Sequence, residues 1–320
     1  MKSVLVTGCN GTVGRYVTRA LLGAGYRVIG LSLEPVPHVP HERFDYHCID
    51  LTDASAVAEL VTRERPDALV HLAALVHVRN AQLGFLDYCR LNYDASKRLF
   101  EVAANSGTKK IVFSSTIEVY GPTPDGVTID EAYSCRPDSD YARTKLLAEA
   151  ALTEIGAAHG IAAVALRFAP VYAPDFRLNL DKRLYLAKRV TYTLGPANYS
   201  LSLCSVRNIE HFILRWLAHE NSVSGVFNLC DARSYGISEL LARESRVGGP
   251  RLQLRIPFWP AVAAGAAFET SMNLLGRSAG MYTANNIRKL VRSAHWDTSK
   301  AASAVGPLPF DIDNTLDQML

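Results

Sequence analysis

Short, uniformly apolar runs alternate with stretches of helical spacing through the first half of the chain. Val4-Leu5-Val6 is closed by Gly8, and apolar positions then recur at helical spacing from Val13 to Leu22. Val28 to Leu31, Tyr46 to Ile49, Ala68 to Leu72, Lys110 to Ser115 and Ala162 to Phe168 read as further strands. Ala54 to Arg63, Phe85 to Ala104 and Asp140 to His159 read as helices between them. Strands that are apolar on both faces and alternate with helices imply a parallel sheet covered on both sides. Right-handed crossovers make that sheet doubly wound. The expected class is α/β, a Rossmann-type doubly wound parallel sheet with a smaller C-terminal substrate lobe.

The rhythm breaks after Ala169. Prolines at 170, 174 and 196 punctuate the chain, and Arg177, Lys182, Arg183, Lys188 and Arg189 cluster. Later helices are expected at Asn208 to His219, Ser238 to Ser245, Ala261 to Leu275 and Thr283 to Val291. The division is therefore a dinucleotide-binding domain over 1–168 and a mainly substrate-binding lobe over 169–320, with some segments able to return to the first domain.

Composition changes this picture little. The 320 residues are 48% hydrophobic and 20% charged, values typical of a chain that buries a core. The formal charge of +3 is too small to argue nucleic-acid binding. Six cysteines at 9, 48, 89, 135, 204 and 230 form no CxxC pair, so no metal site is signalled. The N-terminus runs directly into a strand, and the apolar stretch Ile256 to Leu275 carries two prolines, Glu269 and Asn273. No membrane span is read, since a span needs ~20 predominantly apolar residues. The expectation is a cytoplasmic protein with a small-molecule substrate, no nucleic-acid partner, and a homodimer as a possible assembly.

Chemistry enters at Gly8, Asn10, Gly11, Thr12, Val13 and Gly14, between the first strand and the first helix. Glycines there permit a tight turn, close approach of backbone to a pyrophosphate, and helix-on-strand packing. The helix N-terminus then presents N–H groups and a positive dipole end to phosphate. NAD or NADP is implied. Ser32 ends the second strand where NAD enzymes usually carry a carboxylate for the ribose diol. Serine does not repel a 2′-phosphate, and Arg15 could help to hold one, which tips the reading toward NADP. Asp50 and Leu51 follow the third strand, placed to meet the adenine edge; Asp50 is alternatively a cap for the next helix.

Tyr141 and Lys145 lie one helical turn apart, on one face. A lysine ammonium beside a phenol lowers its pKa from ~10 toward a useful acid–base range. Ser114, Ser115 and Thr116 end the fifth strand, at the sheet edge where ligands bind. Asn92 sits within the helix preceding that strand, where it could bend the helix or bind water.

These motifs together resemble the extended short-chain dehydrogenase/reductase superfamily, in its NAD-dependent epimerase/dehydratase group. The resemblance rests on residues 7–14, 71–74, 114–121, 141–145 and 167–172 (TGCNGTVG, HLAA, SSTIEVYG, YARTK, RFAPVY). It implies Thr116, Tyr141 and Lys145 as the catalytic triad with Asn92 in support, and Leu72, Ala73 and Ala74 lining the cofactor after His71. Sugar-nucleotide 4,6-dehydratases are similar at Thr116 and Glu118 but carry Asp where Ile117 stands, which argues against that reaction. Glu118 remains, as a base or a structural carboxylate. The family's usual diphosphate contacts are partly replaced by Leu201-Ser202-Leu203 and Val206-Arg207-Asn208, leaving Arg177, Lys182, Arg183 and Arg207 as substitutes. The activity implied is epimerisation or keto-reduction at C4 of a nucleotide-diphosphate sugar. Ile256-Pro257-Phe258-Trp259 and the apolar run to Leu275 are also similar to 3β-hydroxysteroid dehydrogenase-like proteins, which implies a hydrophobic alcohol instead. A catalytically silent dinucleotide-binding protein is the third reading.

Overall fold

The computed structural model describes residues 2–76, 83–220, 222–248, 252–275 and 283–317. Seven parallel strands form the main sheet: β1 Ser3–Thr7, β2 Arg27–Ser32, β3 Phe44–Cys48, β4 Ala68–His71, β5 Lys110–Thr116, β6 Ala162–Phe168 and β7 Gly225–Leu229. Their order across the sheet is β7-β6-β5-β4-β1-β2-β3. The doubly wound class is therefore present. The order reverses between β1 and β4, and a crevice opens at their carboxyl ends.

Alternate residues of each strand feed two cores. Val4, Val6, Val28, Val70, Val112 and Val164 face helices Gly14–Gly23 and Val206–Ala218, whose Leu21, Phe212 and Trp216 complete that side. Leu5, Ile29, Leu69, Ile111 and Phe113 face the other side, against Leu60, Phe100 and Leu152. Burial of each large apolar side chain contributes ~1.5–3 kcal/mol. A separate core of Tyr172, Leu180, Leu184, Tyr199, Tyr235 and Ile237 supports the smaller lobe.

Four features differ from the pattern-based reading. β7 comes from the second half of the chain, yet pairs with β6 from Gly225↔Val164 to Leu229↔Phe168. Strands Val190–Leu194 and Leu252–Ile256 pair in parallel within a small second sheet. The helix read over Phe85 to Ala104 is broken by a π-helical segment, Cys89–Ala95, between Phe85–Tyr88 and Ser96–Asn105. Finally, the apolar helix Phe258–Leu274 is not core, since Val262 and Gly265 are its buried residues. No helix among the described residues is long and apolar enough to cross a membrane.

Candidate functional site

The glycine-rich turn is built for close approach. Gly8 adopts φ +66°, and a Cβ there would stand 2.8 Å from the Ala73 nitrogen. A Cβ on Gly14 would stand 1.9 Å from the Gly8 carbonyl oxygen. Only glycine fits either place, so the helix N-terminus is drawn tight against the strand end and its N–H groups face the crevice. Val13 precedes that helix and supplies no side-chain cap. The cradle thus fits a dinucleotide pyrophosphate at Thr12 and Val13, while the Gly11 N–H donates to the Gly8 carbonyl (2.9 Å) and closes the turn. The Asn10 side chain is engaged within the protein: its amide donates to the Val36 carbonyl (2.8 Å) and accepts from the His38 N–H (2.9 Å). It ties the loop after β2 to the turn.

The far side of the crevice is fixed by His71. Burial pushes its pKa down to about 3, so the ring is neutral. Nδ1 shares a 2.6 Å hydrogen bond with Thr7 Oγ1, and Nε2 shares one of 2.8 Å with Ser96 Oγ. The Ser96 hydroxyl can donate onward to the Leu91 carbonyl. That assigns the proton to Nε2 and leaves Thr7 donating to Nδ1, while Thr7 accepts from the Ala73 N–H (3.3 Å). The chain positions Leu72, Ala73 and Ala74 beside Gly8.

At the end of β2, Ser32 donates to Glu34 Oε2 at 2.5 Å. That bond holds the exposed Glu34 carboxyl below its usual range. The sequence reading rested on Ser32 and missed Glu34; its signal is an acidic residue two places past the strand. The Arg15 guanidinium, a candidate for a 2′-phosphate, pairs with Asp175 at 2.8 Å. Asp50 is exposed and accepts from the Thr52 N–H and hydroxyl. The cap of the next helix is Asp53, not Asp50. The Leu51 side chain is buried in the core.

Thr116 ends β5 with an extended backbone, and its hydroxyl accepts from the Glu118 N–H. Lys145 is buried and donates to the Ser114 carbonyl at 2.7 Å, with its Nζ 4.5 Å from the Phe113 ring centroid and 6.0 Å from that of Tyr141. Burial pushes the lysine down to about 7 against the opposing charge of Glu149. Tyr141 is half-buried, and burial together with the Glu118 charge pushes its phenol above the ordinary value. That direction is opposite to the lowering expected from a neighbouring lysine ammonium, and a lysine whose own pKa is pushed down by burial supplies less charge to oppose it. Asn92 is buried within the π-helical segment. It accepts from the Leu75 N–H (2.8 Å) and donates to the Leu75 carbonyl (2.9 Å) and to Thr144 Oγ1 (3.4 Å). It acts on the site by positioning the loop after β4 against the first turn of the Tyr141 helix. The π insertion is what turns that side chain inward.

The basic candidates divide. Arg177 is spent on Glu244 (2.7 Å) and Asp181 (3.3 Å), since a buried carboxylate demands a partner. Lys182 is exposed on the last turn of Leu178–Leu184 rather than its first. Arg207 lies 4.2 Å over the Phe310 ring. Arg183 donates to the Asn179 carbonyl (2.8 Å) and lies within electrostatic range of Glu118, Tyr192 and Tyr199. Burial lowers its pKa, which marks a desolvated cation.

A family model described as the NAD dependent epimerase/dehydratase family matches residues 4–230. Among curated relatives, the UDP-glucose 4-epimerase of Azospirillum brasilense is 35% identical over 179 residues, covering 54% of this chain and 50% of that protein. The UDP-glucose 4-epimerase of Bacillus subtilis is 30% identical over 173 residues, covering 51% of each. The chain thus spans about half the length of the curated relatives it matches. Among solved structures, UDP-glucose 4-epimerase from Thermotoga maritima with UDP-glucose aligns with TM-score 0.76 at 22% identity, over 98% of this chain and 96% of that one. The Thermus thermophilus UDP-glucose 4-epimerase complex with NAD aligns with TM-score 0.74 at 20% identity over the same shares. At those identities the structural likeness speaks to fold.

Proposed function

The chain belongs to the NAD-dependent epimerase/dehydratase family, and from that premise we propose that it interconverts nucleoside-diphosphate sugars epimeric at C4, using NAD. The observation that carries this reading is the arrangement at the carboxyl edge of β5. Lys145 is anchored on the Ser114 carbonyl, two residues from Thr116 and one turn from Tyr141. Tyr141 takes the C4 hydroxyl proton as general base and returns it as general acid. The Thr116 hydroxyl orients the same oxygen, and Lys145 fixes the ring and supplies positive charge. Bound NAD supplies the hydride acceptor and donor. Arg183 meets the sugar diphosphate. The names of the relatives support the sugar reading over the hydrophobic alcohol and over a silent binding protein.

The test is direct. The protein with NAD and UDP-glucose is followed by proton NMR, and UDP-galactose is expected without net consumption of cofactor. Failure to convert UDP-glucose, UDP-N-acetylglucosamine or UDP-glucuronate, together with reduction of a ketone by a reduced cofactor, would replace epimerase with reductase. Arg183→Met is expected to weaken UDP binding roughly ten- to hundredfold, the loss of one charged hydrogen bond. Lys182→Met is expected to leave it unchanged, and isothermal calorimetry compares the two. Equal effects would remove the distinction drawn between these neighbours.

Glu34 supports NAD over the NADP suggested by Ser32. A carboxylate at the end of β2 accepts the ribose diol and repels a 2′-phosphate. Glu34→Ala should weaken NAD about ten- to hundredfold while NADP does not weaken. Fluorescence titration with both cofactors reads the ratio, and an unmoved ratio would exclude Glu34 from the ribose site.

A further inference from the structure

Helix Phe258–Leu274 has an unusual surface for a helix outside the core. Trp259 is 72% exposed, Leu274 84% and the adjoining Leu275 68%. Ala263, Ala264, Ala266 and Ala267 are exposed between them, so apolar positions run around the whole circumference. Glu269 is its one charged residue. A helix with apolar positions on every side normally sits in a core or in lipid, and exposed apolar side chains this large on one helix mark an interaction surface, although Thr270, Ser271 and Asn273 are exposed toward its C-terminus. Its 17 residues reach ~26 Å at 1.5 Å per residue, short of the ~30 Å hydrocarbon layer.

Charge selects the occupant. Residues 246–292 carry seven basic residues against the single acidic Glu269, in a chain whose formal net charge is only +3. Arg255 stands just before the helix, at the end of strand Leu252–Ile256. Arg288 lies on helix Ala284–Leu290, which packs against the apolar helix, and Arg292 follows it. All three side chains are exposed. A symmetric pairing of two copies through this face would set the same basic rim against itself. An anionic lipid surface complements the rim and takes the apolar residues together.

We propose that helix Phe258–Leu274 seats the protein on an anionic bilayer surface, with the apolar residues in the headgroup–acyl boundary and Arg255, Arg288 and Arg292 on lipid phosphates. This is independent of the sugar chemistry: docking can fail while epimerisation stands, and the reverse. The helix lies in the interface and does not span it.

Co-sedimentation with sucrose-loaded vesicles tests it. The protein should pellet with vesicles of mixed phosphatidylglycerol and phosphatidylcholine at low salt, release as salt rises, and stay in solution with phosphatidylcholine alone. Trp259 is a built-in reporter, because Trp216 is buried and Trp296 half-buried. Its emission should shift to the blue with anionic vesicles and be quenched by brominated lipid, and Trp259→Phe should remove the shift but keep the pelleting. Arg255→Gln, Arg288→Gln and Arg292→Gln should each weaken partitioning about fivefold. Trp259→Ser with Leu274→Ser should weaken it further while NAD binding is unchanged. No pelleting with anionic vesicles at low salt would overturn the proposal. So would a dimer in sedimentation velocity that Leu274→Arg dissociates, which would make a second copy the occupant.

Discussion

Tyr141→Phe is expected to retain the fold and NAD binding and to lose turnover by ~10²–10⁴, the contribution of a positioned acid–base group. The phenol is the group at this sheet edge that can exchange a proton with a sugar hydroxyl while Thr116 orients it. Burial and the Glu118 charge hold the phenol above its ordinary pKa. The base form is therefore scarce at neutral pH, and turnover in the epimerising direction should rise as pH increases from neutral. Glu118→Gln removes one of the two causes, so the rising limb should move to lower pH. The measurement is the pH profile of kcat for the parent, Tyr141→Phe and Glu118→Gln, with cofactor binding as the control for folding. A phenylalanine variant keeping a tenth or more of parent activity would remove Tyr141 from proton transfer. A limb that stays put in Glu118→Gln would assign it to another group.

How much of this was legible in the sequence depends on the length scale of each signal. The strand–glycine–helix unit at 3–23 is written in neighbouring residues, so both its existence and its chemistry could be read. Helix Asp140–His159 and strand Ala162–Phe168 fall at the expected boundaries, because Ser139 caps the first and Gly160 ends it in the left-handed region. β7 was missed for the opposite reason. Gly225–Leu229 is interrupted by Asn228, a polar residue buried because distant groups satisfy it: Tyr120, 108 residues earlier, donates to its side chain, which donates in turn to the Ile129 carbonyl. The helix Phe258–Leu274 reads as core from apolar content alone, since sequence reports composition and not what covers a face. The basic segment shows the same limit. Arg177 and Arg183 look alike in sequence, but Glu244 consumes the first from another helix. Glu34 lies two residues past the last strand position, where strand periodicity no longer fixes a side chain's direction, and its bond from Ser32 is what places it at the strand end.

The pair Glu149–Arg167 carries the largest expected effect on stability. Glu149 comes from the Tyr141 helix and Arg167 from β6, and their side chains are 4% and 5% exposed. The guanidinium binds the carboxylate at both oxygens, 3.0 Å from Nε and 2.7 Å from NH2, and Ser115 also donates to Glu149. Arg167 further lies 4.7 Å over the Tyr120 ring, whose hydroxyl reaches Asn228 on β7. A buried pair of this kind is costly to break, because the survivor is left charged and without its counter-ion. Arg167→Met should therefore lower unfolding free energy by ~3–5 kcal/mol, read as the shift in denaturant midpoint at constant slope. The double variant Arg167→Met with Glu149→Leu should recover most of the loss, since two apolar groups can replace a buried pair at small cost. Activity should not recover with it. Glu149 is the charge that opposes the depression of the Lys145 pKa. Without it the lysine pKa moves further down and less positive charge stands beside Tyr141, so kcat should drop in a well-folded protein. A double variant as unstable as Arg167→Met would show that packing, not the stranded carboxylate, sets the cost. A double variant with parent kcat would show that the charge on Lys145 is not needed for the proton to move.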